Sequence, residues 1–481
     1  PKNTLKAKQI RKLKMKELTQ KHKSSTTFTE GSLFKGIILF SLPLMASQIL
    51  QVLFNISDVI IVGKGVADST VPVGAVGSTS TLLTLFTGFL IGIGAGINVK
   101  VAQYLGAKRE KDVKETVDTS LVLSAAMGVI IFALCFFLAR QLLELLNTKA
   151  ELLDKAVTYF RIFSFGMPAL AIFNYGNGVL SAAGDTKRPL IYLAVSGIAN
   201  IGLNFFFVLV CGLDVEGVAL ASVITQYMSA VAVTVRLLKI KDAHRLDLKN
   251  FTYKWEKAGE VLALGVPAGI QNGIFAVANI FIQVGINEFE YKQVTGINTA
   301  QNADTIIYNI MMAFYTACST FIGQNYGAGK PARAIKSYYV TTLYAFAFGL
   351  VLGALAFFKG DLFLSMFDGD PEVIAAGMQK LKIMGFSFGL SAFMDNAIAA
   401  SRGIGKSLVP TIVVILGSCV FRVAWIYTVF AHYKTITSLF LLYPVSWIIT
   451  GIAETIYFFV SYAALKKRKS SDFQPTDAGQ E

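Results

Sequence analysis

Apolar runs of about twenty residues or more, separated by short polar breaks, recur along the whole chain. A helix rises 1.5 Å per residue, so each run is long enough to cross the roughly 30 Å apolar core of a bilayer. About twelve spans are predicted, near 36–62, 74–101, 117–139, 157–181, 189–211, 216–238, 261–287, 296–322, 338–358, 378–401, 409–430 and 438–464. The first carries a polar line. Gln48, Gln51, Asn55 and Asp58 fall at i, i+3, i+7 and i+10, on one face of a helix. A carboxylate within a span costs about 2.5–3.5 kcal/mol on insertion scales, so Asp58 is expected to face protein or a water-filled cavity. A stripe that only binds helices together would explain the amides and has little need of the charge.

The fold class that follows is an all-α polytopic membrane protein. Long continuous runs exclude a β-barrel, whose strands alternate apolar and polar positions. The net charge of +14 would suit nucleic acid, but Lys and Arg sit in the tails and on alternate loops, which the positive-inside rule explains. Lys108, Arg109, Lys111 and Lys114 follow span two, Lys187 and Arg188 follow span four, and Arg236 to Lys257 fill the connection after span six. Lys330, Arg333 and Lys336 follow span eight, Arg402 and Lys406 follow span ten, and Lys466 to Lys469 form the tail. Both termini are therefore expected in the cytoplasm, and the chain in a bacterial inner (plasma) membrane as a monomer, in contact with lipid and with no nucleic-acid partner. The expected division is a basic cytoplasmic arm (1–33), a first six-helix lobe (34–238), a cytoplasmic linker (239–258), a second six-helix lobe (259–465) and a tail (466–481). Cys135, Cys211, Cys318 and Cys419 lie in or beside apolar runs, without metal-ligand spacing, and read as small hydrophobes.

The two lobes are copies. Ala102-Gln103-Tyr104-Leu105-Gly106-Ala107-Lys108 returns as Gly323-Gln324-Asn325-Tyr326-Gly327-Ala328-Gly329, a shift of 221 positions that also carries Gly184 and Pro189 onto Gly405 and Pro410. Pro43 maps onto Pro267 with a shift of 224. Six spans between copies give both the same orientation, so the repeat is parallel, with its axis along the membrane normal. Such halves rock about a central cavity.

Candidate chemistry lies on the polar faces. Asn174, Asn177 and Ser181 share a face of span four, Ser196, Asn200 and Asn204 of span five, and Ser222, Gln226 and Ser229 of span six. Converging with Asp58, they would make an oxygen-rich pocket suited to Na⁺, with Asp58 its charged ligand; a shielded Asp58 would equally take a proton. The bland alternative for each amide is an interhelical hydrogen bond. The second half differs: Gln271, Asn272, Asn279 and Gln283 mark span seven, and Asn298, Asn302, Thr305 and Asn309 mark span eight. Asp395 lies deep in span ten, at the position equivalent to Asn174, with Asp304 as another acid and Arg422 as an intramembrane cation expected to pair or to snorkel. Gly92-Ile93-Gly94-Ala95-Gly96 has no preceding strand, so Gly88, Gly92 and Gly96 read as small-xxx-small packing. Gly403-Ile404-Gly405-Lys406-Ser407 lacks the first glycine of a phosphate loop. No catalytic constellation and no cofactor are predicted.

Taken together, Asn55-Ile56-Ser57-Asp58 with Gly63, Gln103-Tyr104-Leu105-Gly106-Ala107, Gly184-Asp185-Thr186-Lys187-Arg188-Pro189, Asn200-Ile201-Gly202-Leu203-Asn204, Glu216 to Ser222, and Met394-Asp395-Asn396 leading to Ser401-Arg402-Gly403 are fairly specific in order and spacing. From about Phe34 to Leu465 the chain resembles the multidrug and toxic compound extrusion (MATE) family of bacterial drug/cation antiporters. The resemblance implies two six-helix lobes in a V and export of amphipathic organic cations driven by inward Na⁺ or H⁺. Asp58 would be the first-lobe coupling acid, Pro43 the bend of the first helix, and Gln51, Asn174, Asn177, Asn200, Asn204 and Ser222 the lining of one cavity. Asp395 would match the second-lobe acid of another branch. Two departures stand out: Asn204 replaces an Asp common in the family, and Gln271-Asn272-Gly273 stands where that other branch has a Glu. The alternative within the wider superfamily is a flippase for a lipid-linked sugar, which predicts a more cationic cavity. A non-transporting receptor or scaffold is disfavoured by the duplication and the buried acids.

Overall fold

The computed structural model describes residues 28–65 and 70–467, all of it helix, turn or loop, with the side chains of Asn55 and Asp58 among those outside the described residues. The first half comprises α1 (Leu33–Gly65), α2 (Thr70–Gly106), α3 (Glu110–Phe137), the short α4 (Ala139–Leu145), α5 (Ala150–Ser164), α6 (Met167–Ala182), α7 (Lys187–Phe205) and α8 (Val215–Lys239). The second comprises α9 (Trp255–Ile286), α10 (Tyr291–Gly327), α11 (Pro331–Ser365), α12 (Pro371–Gly403), α13 (Leu408–Val414), α14 (Phe421–Trp425), α15 (Ala431–Tyr433), α16 (Ile436–Phe440) and α17 (Leu442–Lys467). Wide-turn π segments at 206–210, 415–420 and 426–430 extend α7 and join α13 through α15 into one rod. Eleven of these helical rods are long and apolar enough to span a membrane, twelve if the bent pair α5–α6 is one span. Span four is therefore not straight: the pair turns by 46°. At that turn a Cβ on Gly166 would stand 1.9 Å from the amide oxygen of Gln226, so a larger residue there would push the Gln226 side chain aside.

The duplication reaches individual hydrogen bonds. Pro43 and Pro267 each sit inside a continuous helix, α1 and α9, where a proline removes one backbone donor. Beside each, a hydroxyl from the same lobe donates to the backbone: Thr186 to the Phe40 carbonyl (3.1 Å) and Ser407 to that of Leu264 (2.9 Å). These hydroxyls are 221 positions apart and their acceptors 224, so each copy supports its proline helix in the same way.

The lobes meet at their basic ends, beside the Lys- and Arg-rich loops. Gln103 donates to the Gly403 carbonyl across the interface (2.9 Å), and Gln324 donates to that of Ala182 (2.7 Å). Both donors and both acceptors are related by the 221 shift, so one contact is made twice about a pseudo-two-fold axis. Backbone is nearly in contact with backbone there. A Cβ on Gly106 would lie 2.0 Å from the Gln324 carbonyl oxygen, and one on Gly327 would lie 2.0 Å from that of Gln103. The repeated Gln-x-x-Gly is thus the contact between lobes. Thr320 adds a bond to Asn98 (2.9 Å). Buried Lys257 of α9 joins Asp112 of α3 (2.7 Å) and the Tyr104 hydroxyl (2.8 Å), and Tyr104 bonds Glu260. On the other flank the 28–30 segment is clamped by Gln324, Asn325, Lys330 and Arg333.

The two long seams between lobes are unequal. Along α2 and α9, Gly88, Gly92 and Gly96 face Gly265, Gly269 and Asn272, and the Gly92 and Gly96 Cβ positions would fall 2.2 and 2.7 Å from the Gly269 and Gly265 amides. The small-xxx-small reading of these glycines holds, and the partner is a second Gly-xxx-Gly-xxx-Gly series, 265 to 273. The equivalent seam, α1 against α10, carries Asn309, Ala313 and Ala317 at the matching α10 positions. There Phe28, Phe40 and Phe321 make the contact, with Phe28 stacked on Phe321 at 4.0 Å.

Removing both gate glutamines is expected to loosen the basic ends. A net 0.5–1.5 kcal/mol per hydrogen bond predicts about tenfold faster amide exchange in the last turns of α2 and α10 for Gln103→Ala/Gln324→Ala, with each single variant intermediate.

Candidate functional site

The first lobe encloses a cavity of about 510 Å³. Its polar wall is built by periodicity: Ser196 and Asn200 come from one face of α7, and Ser222, Thr225, Gln226 and Ser229 from one face of α8. Gln51 enters from α1, Ser80, Thr84 and Thr87 from α2, and Asn174 from α6, while Phe54, Tyr159, Phe163 and Phe173 supply aromatic surface. Among the described residues, none that lines it is charged. A relay of amides runs behind it: Asn204 donates to Asn200 (3.2 Å), Asn200 to Thr225 (3.5 Å), and Thr225 to the Ala221 carbonyl (2.9 Å). The Phe54 ring rests on Gly197 so closely that a Cβ there would lie 1.8 Å away. Gly197 is therefore what lets α1 lie against α7 and bring Gln51 to the cavity.

These sites are set in a fold that other chains share. The MatE family model matches residues 43–206 and matches again over 267–428, one copy per lobe.

The chain belongs to the MATE family.

The probable multidrug resistance protein YpnP of Bacillus subtilis is 27% identical over 391 residues, covering 80% of this chain and 86% of that protein. A solved MATE in complex with MaL6 superposes with a TM-score of 0.85 at 21% identity, covering 92% of this chain and 99% of that one. An outward-facing multidrug resistance MATE transporter of the MOP superfamily gives 0.84 at 21%, covering 92% and 98%. The two-lobed fold of about twelve spans is thus the MATE fold, and the chain is a secondary transporter of that family rather than an enzyme.

Among the residues singled out in this MATE chain, Gln51, Asn174, Asn200 and Ser222 line the one cavity. Asn204 is fully buried behind it, and Asn177 lies on α6 taking a long bond from Ser181 (3.4 Å). Asp58 and Asn55 continue the α1 stripe, but their side chains lie outside the described residues. The second-lobe candidates are elsewhere. Buried Gln271 accepts a bond from Arg402 (2.7 Å), Asn272 donates across the glycine seam to the Gly88 carbonyl (2.9 Å), and Asn302 is exposed on α10.

Asp395 is buried in the second lobe. The Tyr315 hydroxyl, which pairs with Ser391 (3.5 Å), lies beside its carboxyl, and Oδ2 has no partner. Arg422 does not snorkel: its Nε donates to Ser446 (3.1 Å), and the guanidinium lies over the rings of Tyr443 (4.5 Å) and Phe275 (5.7 Å). The second lobe holds one buried acid more than Asp395 and Asp304. Asp304, Asp395 and Glu454 are all buried, and fully buried Lys380 pairs with Asp304 at 2.9 Å. Glu454 escaped notice although it ends a visible stripe, Ser446, Thr450 and Glu454 at i, i+4 and i+8 in an apolar run.

Proposed function

We propose that this transporter exports amphipathic organic cations in exchange for inward Na⁺ or H⁺, with the cytoplasm on the side of the basic loops. The observation that supports this most directly is the uncharged amide, hydroxyl and aromatic lining of the first-lobe cavity, next to the helix that carries Asp58. Aromatic faces hold a delocalised cation, and amides and hydroxyls adapt to many shapes. Asp58 supplies the negative charge for which ion and drug compete. Asn174, Asn200, Asn204 and Ser222 offer oxygens in and behind the cavity, Asn177 extends them along α6, and Pro43 is the hinge. Binding of the ion and binding of the drug favour different lobe arrangements, so the gradient of one drives the other. One charge crossing 100 mV contributes about 2.3 kcal/mol.

Among the described residues the cavity lining has no Lys or Arg to bind a sugar pyrophosphate, which argues against a lipid-linked sugar flippase. The test is dye export by the reconstituted chain under a Na⁺ gradient alone and under a pH gradient alone. Asp58→Asn is expected to abolish gradient-driven export, and Ser222→Phe, which fills the cavity, to lower it at least about tenfold while the protein folds normally. Full export by Asp58→Asn would remove Asp58 from the coupling site.

A further inference from the structure

Glu454 is the least satisfied charged group among the described residues. Its side chain is fully buried in α17, and neither carboxyl oxygen has a hydrogen-bond partner. A buried carboxylate without a donor is expensive, and a proton removes that cost. A metal ion would need a cage of oxygens, and no cluster of three or more His, Cys, Asp or Glu exists among the described residues.

The surroundings are specific. A Cβ on Gly451 would touch the Met394 backbone at 3.3 Å, which sets α17 level with α12 at Asp395. Both helices run toward the basic side. Glu454, one turn further along, therefore lies at a depth between Asp395 and Arg402, which are its charged neighbours. Other polar groups of this region are Arg422 on α14, held by Ser446 and Tyr443, the Ser418–Thr450 hydroxyl pair (3.1 Å), Tyr308 and Tyr315 of α10 beside Asp395, and Tyr338 of α11 beside Thr455. Arg402 is the group free to respond. One of its terminal nitrogens holds Gln271 of α9, while its Nε is buried without an acceptor. The next residue, Gly403, offers the carbonyl that receives Gln103 from the other lobe.

We propose that Glu454 is a proton-carrying carboxyl of the second lobe, and that Arg402 transmits its charge state to the contact between lobes. With the proton bound, Glu454 is neutral and Arg402 stays on Gln271. When the proton leaves to water, the carboxylate draws the guanidinium and its unused Nε, the hold on Gln271 weakens, and the last turn of α12 shifts under Gly403. The proposal rests on the transport reading above only for its use in a cycle.

The test takes the full chain in proteoliposomes without substrate. Spin labels at the exposed Lys111 and Lys336 positions, made as Lys111→Cys and Lys336→Cys in a cysteine-free background, report the separation of the basic ends, and infrared difference spectra report protonated carboxyls. Between acidic and alkaline pH the parent is expected to shift its closed-to-open ratio about tenfold or more. Glu454→Gln should lose that shift together with one carboxyl band, and Glu454→Asp should keep the shift with a moved midpoint. A pH response and infrared band unchanged in Glu454→Gln overturn the proposal; if that variant does not fold, an unmoved midpoint in Glu454→Asp does so. Both readouts are independent of flux. A native chain that shows them but exports nothing under either gradient overturns the antiport reading and leaves Glu454 in place.

Discussion

Gly92→Ala is expected to destabilise the protein by about 1–3 kcal/mol and to cut transport at least about tenfold, although it adds a single methyl group. The methyl carbon would stand 2.2 Å from the Gly269 amide nitrogen and 2.4 Å from its Cα. Both are backbone atoms of a packed helix, so no side chain can swing away, and α2 and α9 must separate along their length. In an open helix position the same change is mildly stabilising, by up to about 1 kcal/mol, because alanine is the better helix former. Gly77 is the control: on the same helix, a Cβ there meets nothing within 4 Å. Thermal unfolding in detergent and dye export should therefore separate Gly92→Ala from Gly77→Ala. Equal behaviour of the two variants would mean that the seam does not bear on the fold.

Lys380→Met is expected to cost more, about 3–5 kcal/mol, because it leaves the Asp304 charge buried and unpaired. Lys380 is completely enclosed. Its ammonium reaches Asp304 (2.9 Å), Gln301 (2.7 Å) and the Ile297 carbonyl (3.3 Å), with the Phe440 ring at 5.0 Å. These contacts tie α12 to α10 inside the second lobe. Replacing both charges by apolar groups of similar volume removes the uncompensated ion, so Asp304→Leu/Lys380→Met should recover most of the loss, to within about 1–2 kcal/mol of the parent. Additive losses in the double variant would show that the pair does not interact.

The spans and the duplication were legible because a bilayer enforces them: length, apolarity and closed backbone hydrogen bonding leave few alternatives. Pairing between lobes was not. Gly88, Gly92 and Gly96 announce a close neighbour, but periodicity within one helix does not say that the neighbour is 265–273 of the other half. Gln103 and Gln324 stood out as repeats, while their reciprocal reach to Gly403 and Ala182 depends on where loops end in space. The bend between α5 and α6 falls where Pro168, in the first turn of α6, has no N–H for the Ser164 carbonyl at the end of α5, with Gly166 at the turn beneath Gln226. The candidate site was legible where one helix face carries three or more polar groups, as at Ser196, Asn200 and Asn204. Glu454 met the same criterion, at the end of the Ser446, Thr450 and Glu454 stripe, but that stripe lies inside the most continuously apolar part of the last span; Lys380 stands near the end of its span, where a cation reads as a loop residue.

The doubled Gln-to-carbonyl contact has a meaning for symmetry. An isologous interface arises when identical subunits meet about a two-fold axis, so that one residue pair is used twice. Here the two partners are halves of one polypeptide, and the geometry of an isologous contact is present at Gln103 and Gln324. Within one polypeptide, neither copy has to match the other. One seam has glycines and its counterpart aromatic rings, and the buried acids fell to different helices. Identical halves would respond identically to whatever binds between them, whereas unequal seams let one lobe yield before the other.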